Sequence, residues 1–194
     1  QHDDTIRIRE SVAGENIVDT AGTIIGSAVG GQLLVEYNNA RLEAIWQDAA
    51  GPRVEQFRIS GLLGDDEIEF VRGEGALDIS ALAARSNDFV GVIDGGPGDD
   101  ILRGTDARDR LDGGSGSDTL YGYAGDDRLW GDGGTGFLSD VDTLFGGQGN
   151  DDLIGGHGSN FLYVWTFDPN EGDEFGVFVD AQTGELFADS ADGT

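Results

Sequence analysis

Leucine returns at the eighth place of seven consecutive segments between Gly95 and Tyr163, and no other feature restricts the fold of this chain so strongly. Six segments have nine residues: GGPGDDILR from 95, GTDARDRLD from 104, GGSGSDTLY from 113, GYAGDDRLW from 122, GGQGNDDLI from 146 and GGHGSNFLY from 155. The seventh, GDGGTGFLSDVDTLF from 131 to 145, is the same unit stretched by six residues. The eighth place holds Leu102, Leu111, Leu120, Leu129, Leu144, Leu153 and Leu162. The sixth holds Asp100, Asp109, Asp118, Asp127, Asp142 and Asp151, with Asn160 in the last unit. One large apolar residue between two mostly polar neighbours is the shortest strand pattern that buries one face, so each unit reads as a turn and a three-residue strand. A flexible Gly/Asp-rich linker would share the composition but has no reason to keep Leu at one offset.

The glycines ahead of each strand allow a sharp backbone turn whose carbonyl oxygens can converge, and the Asp closing the turn adds a carboxylate. Stacked turns of this kind build an all-oxygen cage, which suits a hard cation such as Ca²⁺ rather than Zn²⁺ or Cu²⁺. A calcium-free solenoid is the alternative; an Asp at nearly every sixth place makes an empty one self-repelling at neutral pH. The stretch resembles the RTX, or hemolysin-type, calcium-binding repeat, with consensus GGxGxDxUx.

That resemblance implies a right-handed parallel β-roll in which two units make one coil, with Ca²⁺ between turns stacked on each edge. Carried over by position, it makes Asp100, Asp109, Asp118, Asp127, Asp142 and Asp151 side-chain ligands. It also makes Gly95, Gly96, Gly98, Gly113, Gly114, Gly116, Gly122, Gly125, Gly146, Gly147 and Gly149 carbonyl ligands. Several ions are expected, about five or six from the stacked turns with a usable Asp. Three units depart from the pattern: GTDARD lacks two of its glycines, the turn before Asp142 is interrupted, and Asn160 brings no charge. Sites at those turns are expected to be weak or empty.

Composition agrees with a cation as the natural partner. Against 38 Asp and Glu stand 11 basic residues, all Arg, for a formal charge of −27. Such a chain repels phosphate backbones and anionic lipid, so neither nucleic acid nor membrane insertion is expected. Hydrophobic residues at 38%, with three Trp, four Tyr and ten Phe, are too many for a purely solvated polymer. The absence of Cys removes disulfides, thiolate metal sites and cysteine nucleophiles. The start at Gln1 and the lack of Met read as a processed or excised piece of a longer protein.

The expected fold class is therefore all-β, a parallel β-roll or β-solenoid with flanking β-hairpins. Three regions follow: 1–94, β-rich with degenerate repeats and a hairpin; 95–163, the roll; and 164–194, a capping hairpin. DDTIRIRE and GLLGDDEIE keep fragments of the repeat, with Asp66 at the sixth place. In GQLLVEYNNARLEAIW a turn at Asn38-Asn39 sets Glu36 opposite Arg41 and Val35 opposite Leu42. The segment 76–86 fits either one helical turn or strands leading into the roll. A second hairpin is expected around Thr183-Gly184, with Phe161, Trp165, Phe167 and Phe175 as candidates to cover the open end. Ninth places one coil apart stack Tyr121, Phe145 and Tyr163 on one outer face, and Trp130 and Ile154 on the other. One such stripe is expected to pack on a flanking segment or a neighbouring molecule.

No catalytic constellation is present. His2 and His157 are the only histidines, GGSGSD is no nucleophile elbow, and GDGGTG lies in a repeat turn rather than between a strand and a helix. The expectation is a noncatalytic, extracellular calcium-binding structural module that folds on binding the ion and assembles with itself or with neighbouring domains. An export and folding module of a hydrolase or toxin, or an adhesin, is the alternative.

Overall fold

The computed structural model describes residues 3–21, 23–30, 32–38, 40–44, 47–48, 51–52, 56–72, 76, 89–132, 136–165, 175–179 and 186–190; for 40–52 and from 165 onward it describes backbone only. Among these residues there are strands and turns and no helix.

The N-terminal strands are β1 (Thr5–Glu10), β2 (Asn16–Val18), β3 (Ile24–Ser27), β4 (Leu33–Tyr37), β5 (Ala40–Ala44), β6 (Gln47–Asp48) and β7 (Gly51–Pro52). The next ten alternate between two sheets: β8 (Phe57–Ser60), β9 (Glu67–Phe70), β10 (Gly91–Pro97), β11 (Ile101–Arg103) and β12 (Arg110–Ser115), then β13 (Thr119–Ala124), β14 (Arg128–Trp130), β15 (Thr143–Gln148), β16 (Asp152–Ile154) and β17 (Phe161–Trp165). Last come β18 (Phe175–Val179) and β19 (Leu186–Ser190).

Strands β9, β11, β13, β15 and β17 pair in parallel, with β1 beside β9 at their start. Strands β8, β10, β12, β14 and β16 form a second parallel sheet. The eighth-place residues set the register of both. In the first sheet Ile6, Ile68, Leu102, Leu120, Leu144 and Leu162 lie side by side. In the second the row is Ile59, Ile93, Leu111, Leu129 and Leu153. Leu102, Leu111, Leu120, Leu129 and Leu144 are wholly buried, and the two rows meet in one core. Each such Leu contributes about 1.5–3 kcal/mol of burial. That is the β-roll, and its parallel ladders run upstream of Gly95 through β8, β9 and β1.

One coil takes 18 residues, as from Asp100 to Asp118. It takes 24 across the insertion that follows Gly131, and 34 from Asp66 to Asp100. The extra residues leave the ladders undisturbed, since Leu120 still faces Leu144 and Ile68 still faces Leu102. The segment 77–86, with its helix-or-strand alternatives, lies outside the described residues.

Antiparallel strands close both ends of the larger sheet. At one end β4 pairs with β1 and with β5, in the register read from the sequence: Val35 opposite Leu42 and Glu36 opposite Arg41. Asn38 takes the left-handed conformation that this tight turn needs, at φ 50°. Strands β2 and β3 continue from β5. At the other end β18 pairs with β17 and β19 with β18, leaving 180–185 as a connection outside the described residues. These flanks cover edges that would otherwise stay open. Of the aromatics expected at the cap, Phe161 is instead 54% exposed, because its seventh-place side chain points away from the core; Phe167 lies outside the described residues. The outer ladder forms as the ninth-place spacing implies. Tyr121 stacks on Phe145 at 4.9 Å between ring centroids and Phe145 on Tyr163 at 4.5 Å, while Trp130 pairs with Ile154 on the second sheet.

Candidate metal centre

The sixth-place carboxylates tie each coil to the one before it. Asp66, Asp100 and Asp118 each donate a backbone N–H to Oδ1 of the next coil's Asp, at 2.7 Å to Asp100, 2.8 Å to Asp118 and 3.0 Å to Asp142. On the opposite edge Gly91 donates to Asp109, Asp109 to Asp127 and Asp127 to Asp151, at 2.7, 2.8 and 3.1 Å. The amide of Asp142 ends one series on Asn160 Oδ1 at 2.9 Å, so an uncharged amide finishes the stack.

This leaves the second carboxylate oxygen. Oδ2 of Asp66, Asp100, Asp118, Asp127 and Asp142 is buried and has no hydrogen-bond partner. A buried charge without a partner is strongly unfavourable, so these atoms call for a proton or a cation. Carbonyls face the same places. A Cβ on Gly95 would strike both Asp100 Oδ2 and the Gly113 carbonyl, and Gly113, Gly122 and Gly131 are crowded in the same way by their own Asp and by the carbonyl of Gly131, Gly146 or Gly155. Gly146 lies against Asp151 Oδ2. The second and fourth places stack as two further carbonyl rows. Gly96 and Gly98 lie over the carbonyls of Leu62 and Gly64, Gly114 and Gly116 over those of Gly96 and Gly98, and Gly147 and Gly149 over those of Tyr123 and Gly125. Gly125 lies over Ala107. All seven have φ between +100° and +152°, where a side chain would be both strained and obstructed. Among the described residues no three acidic or histidine side chains gather to bind a metal alone. The donors here are one carboxylate per turn and the surrounding carbonyls, an oxygen set that fits Ca²⁺.

Burial disfavours the ionised form of these carboxyls in the metal-free roll. It pushes Asp118 and Asp127 up to about 8, Asp109 to about 7, and Asp100 and Asp142 to about 6, against the amides that favour the charged form. Asp66 and Asp151 are raised for the same reason. A bound cation would reverse this by supplying the missing positive charge.

One unit is built differently. Both oxygens of Asp109 are engaged, because the Gly91 N–H donates to Oδ1 at 2.7 Å while the Thr105 hydroxyl, at 2.8 Å, and the Thr105 amide donate to Oδ2. Thr105 stands at the second place, which Gly96, Gly114, Gly147 and Gly156 hold in four other turns, and its hydroxyl and amide satisfy the carboxylate with protein donors. Fifth-place residues form an outer latch that the motif does not announce: Asp99 donates its N–H to Asp65 Oδ1 at 3.0 Å, Ser117 to Asp99 at 2.8 Å and Asn150 to Asp126 at 3.0 Å. The only sequence signal for it is the Asp-Asp doublet in GLLGDD, GGPGDD and GYAGDD.

A parallel β-roll in which five of the stacked turns present an unsatisfied sixth-place carboxylate oxygen among carbonyls defines a calcium-binding solenoid. Residues 92–106, 103–138 and 139–166 match the RTX calcium-binding nonapeptide repeat, in four copies. The chain thus carries RTX repeats, and repeats of this family bind Ca²⁺. No curated protein and no solved structure matches it.

Proposed function

We propose that this chain is a noncatalytic structural module that folds when it binds several Ca²⁺ ions outside the cell. The row of buried, unpartnered Asp Oδ2 atoms carries the reading. In a calcium-poor compartment these carboxylates repel one another and resist burial, and the chain stays loose. Where calcium is abundant, bound ions compensate the charge and the binding free energy becomes folding free energy. Asp100, Asp118, Asp127 and Asp142, with Asp66 upstream, would hold ions together with turn carbonyls, and Asp109 would serve the fold without one. Affinity of about 10⁻⁴ to 10⁻³ M, usual for extracellular calcium modules, would set the switch at environmental calcium. The need for abundant calcium supports an extracellular compartment.

The test is a Ca²⁺ titration of chelated protein followed by far-ultraviolet circular dichroism and sedimentation velocity. A calcium-driven gain of β signal is expected, with faster sedimentation from compaction and a further rise if copies assemble. A chelated chain already fully folded and indifferent to calcium would refute the metal-coupled reading.

A further inference from the structure

The lengthened turn after Gly131 carries a carboxylate that the nine-residue motif does not account for. Asp132 occupies the second place, where comparable turns have Gly96, Gly114 and Gly147. It is only 5% exposed. Its Oδ2 accepts the His157 N–H at 2.8 Å, while its Oδ1 is buried and has no hydrogen-bond partner. The loop folds closely onto this group, since a Cβ on Gly136 would strike the Asp132 carboxylate.

Asp142, fully buried, brings a second unpartnered oxygen to the same turn. Its Oδ2 and the Gly155 carbonyl both crowd Gly131, the residue next to Asp132 in the chain. The Gly155 carbonyl already accepts the Asp132 N–H at 3.3 Å and keeps a lone pair free. The third carboxylate of the loop, Asp140, is differently employed: its Oδ2 accepts the Phe137 N–H at 2.6 Å and its Oδ1 the Ser139 hydroxyl at 3.3 Å.

We propose that Asp132 is a calcium ligand supplied by the insertion, holding one ion together with Asp142 Oδ2 and the Gly155 carbonyl. The proposal rests on the calcium reading above and reverses the expectation for the interrupted turn: the insertion supplies a carboxylate where the regular turn has only glycine. Two carboxylates at one site raise its affinity above that of single-carboxylate turns, because ligand charge tunes calcium binding.

Calorimetric Ca²⁺ titration of the wild-type chain, of Asp132→Asn and of the exposed control Asp152→Asn tests this. Asp132→Asn should lose one ion, or have one site weakened at least about tenfold, with the remaining sites and the control unchanged. An Asp132→Asn isotherm identical to wild type overturns the proposal and leaves the repeat sites standing. A wild-type chain that takes up no calcium overturns the functional reading itself, and this one with it. If Asp132→Asn fails to fold at saturating calcium, crystals of the wild-type chain grown with Ca²⁺ decide by anomalous scattering. An ion about 2.4 Å from Asp132 Oδ1 supports the assignment, and an ion bound to Asp142 without Asp132, or none at this turn, overturns it.

Discussion

The carboxylate of Asp118 has two oxygens with opposite demands. Oδ1 accepts an amide from the preceding coil, which an asparagine oxygen can also do, whereas Oδ2 is buried without a partner. Asp118→Asn should therefore stabilise the metal-free fold and weaken its stabilisation by calcium, each by roughly 1–3 kcal/mol. Urea unfolding of both proteins, in chelator and in saturating calcium, should show the two signs. Titration by pH probes the same atoms. Because the folded carboxyls of Asp118 and Asp127 titrate near 8 and those of Asp100 and Asp142 near 6, the native state holds more protons than the unfolded chain between the ordinary Asp range and those values. Their contribution to stability without metal is thus fully present below the ordinary Asp range, about pH 4, and is lost as pH rises from there through about 6 and 8. Calcium binding, which needs the ionised form, should strengthen over the same interval, and thermal melts in chelator and in calcium across this range should diverge. The sixth-place Asp was legible because its period survives in the sequence. Thr105 was not: a hydroxyl that satisfies Asp109 looks in sequence only like a missing glycine.

At the scale of the strand, the rows of Leu and the hairpin from Leu33 to Ala44 were legible, since each depends on a short local pattern. The rung from Ile68 to Leu102 was harder to see. Parallel pairing depends on where a coil returns and not on how many residues it spends on the way, so a loop of any length hides it. The aromatic ladder bears on the adhesin alternative. Phe145 stacks on Tyr121 and Tyr163 with interplanar angles of 4° and 14°, so its two faces are covered by neighbouring rings and only edges face solvent. A sugar seeks an aromatic face, and this stripe offers a stabilising stack in its place. Replacing Tyr121 and Phe145 together by Ser should destabilise the calcium-loaded roll by about 2–4 kcal/mol, from lost stacking and lost burial. Denaturant unfolding in saturating calcium measures this, and an unchanged midpoint would show that the ladder contributes nothing.

For the molecule as a whole, a charge of −27 opposes every compact state until something compensates it. Monovalent salt screens this repulsion but does not satisfy buried oxygens. In chelator at pH 8, small-angle X-ray scattering should show a modest contraction on adding about 0.15 M NaCl, where the screening length is about 8 Å. Millimolar calcium should then produce a much larger contraction. Equal contraction by the two would mean that the ion acts only as a counter-charge. The amide-to-carboxylate bonds also run in one direction, from each coil to its successor. The two ends of the rod are consequently unlike. Trimming coils from the carboxyl end bares an amide, a neutral group that water can serve at little cost. Trimming from the amino end bares a carboxylate oxygen that had accepted a neighbour's amide, so the two ends present groups of opposite polarity to whatever meets them.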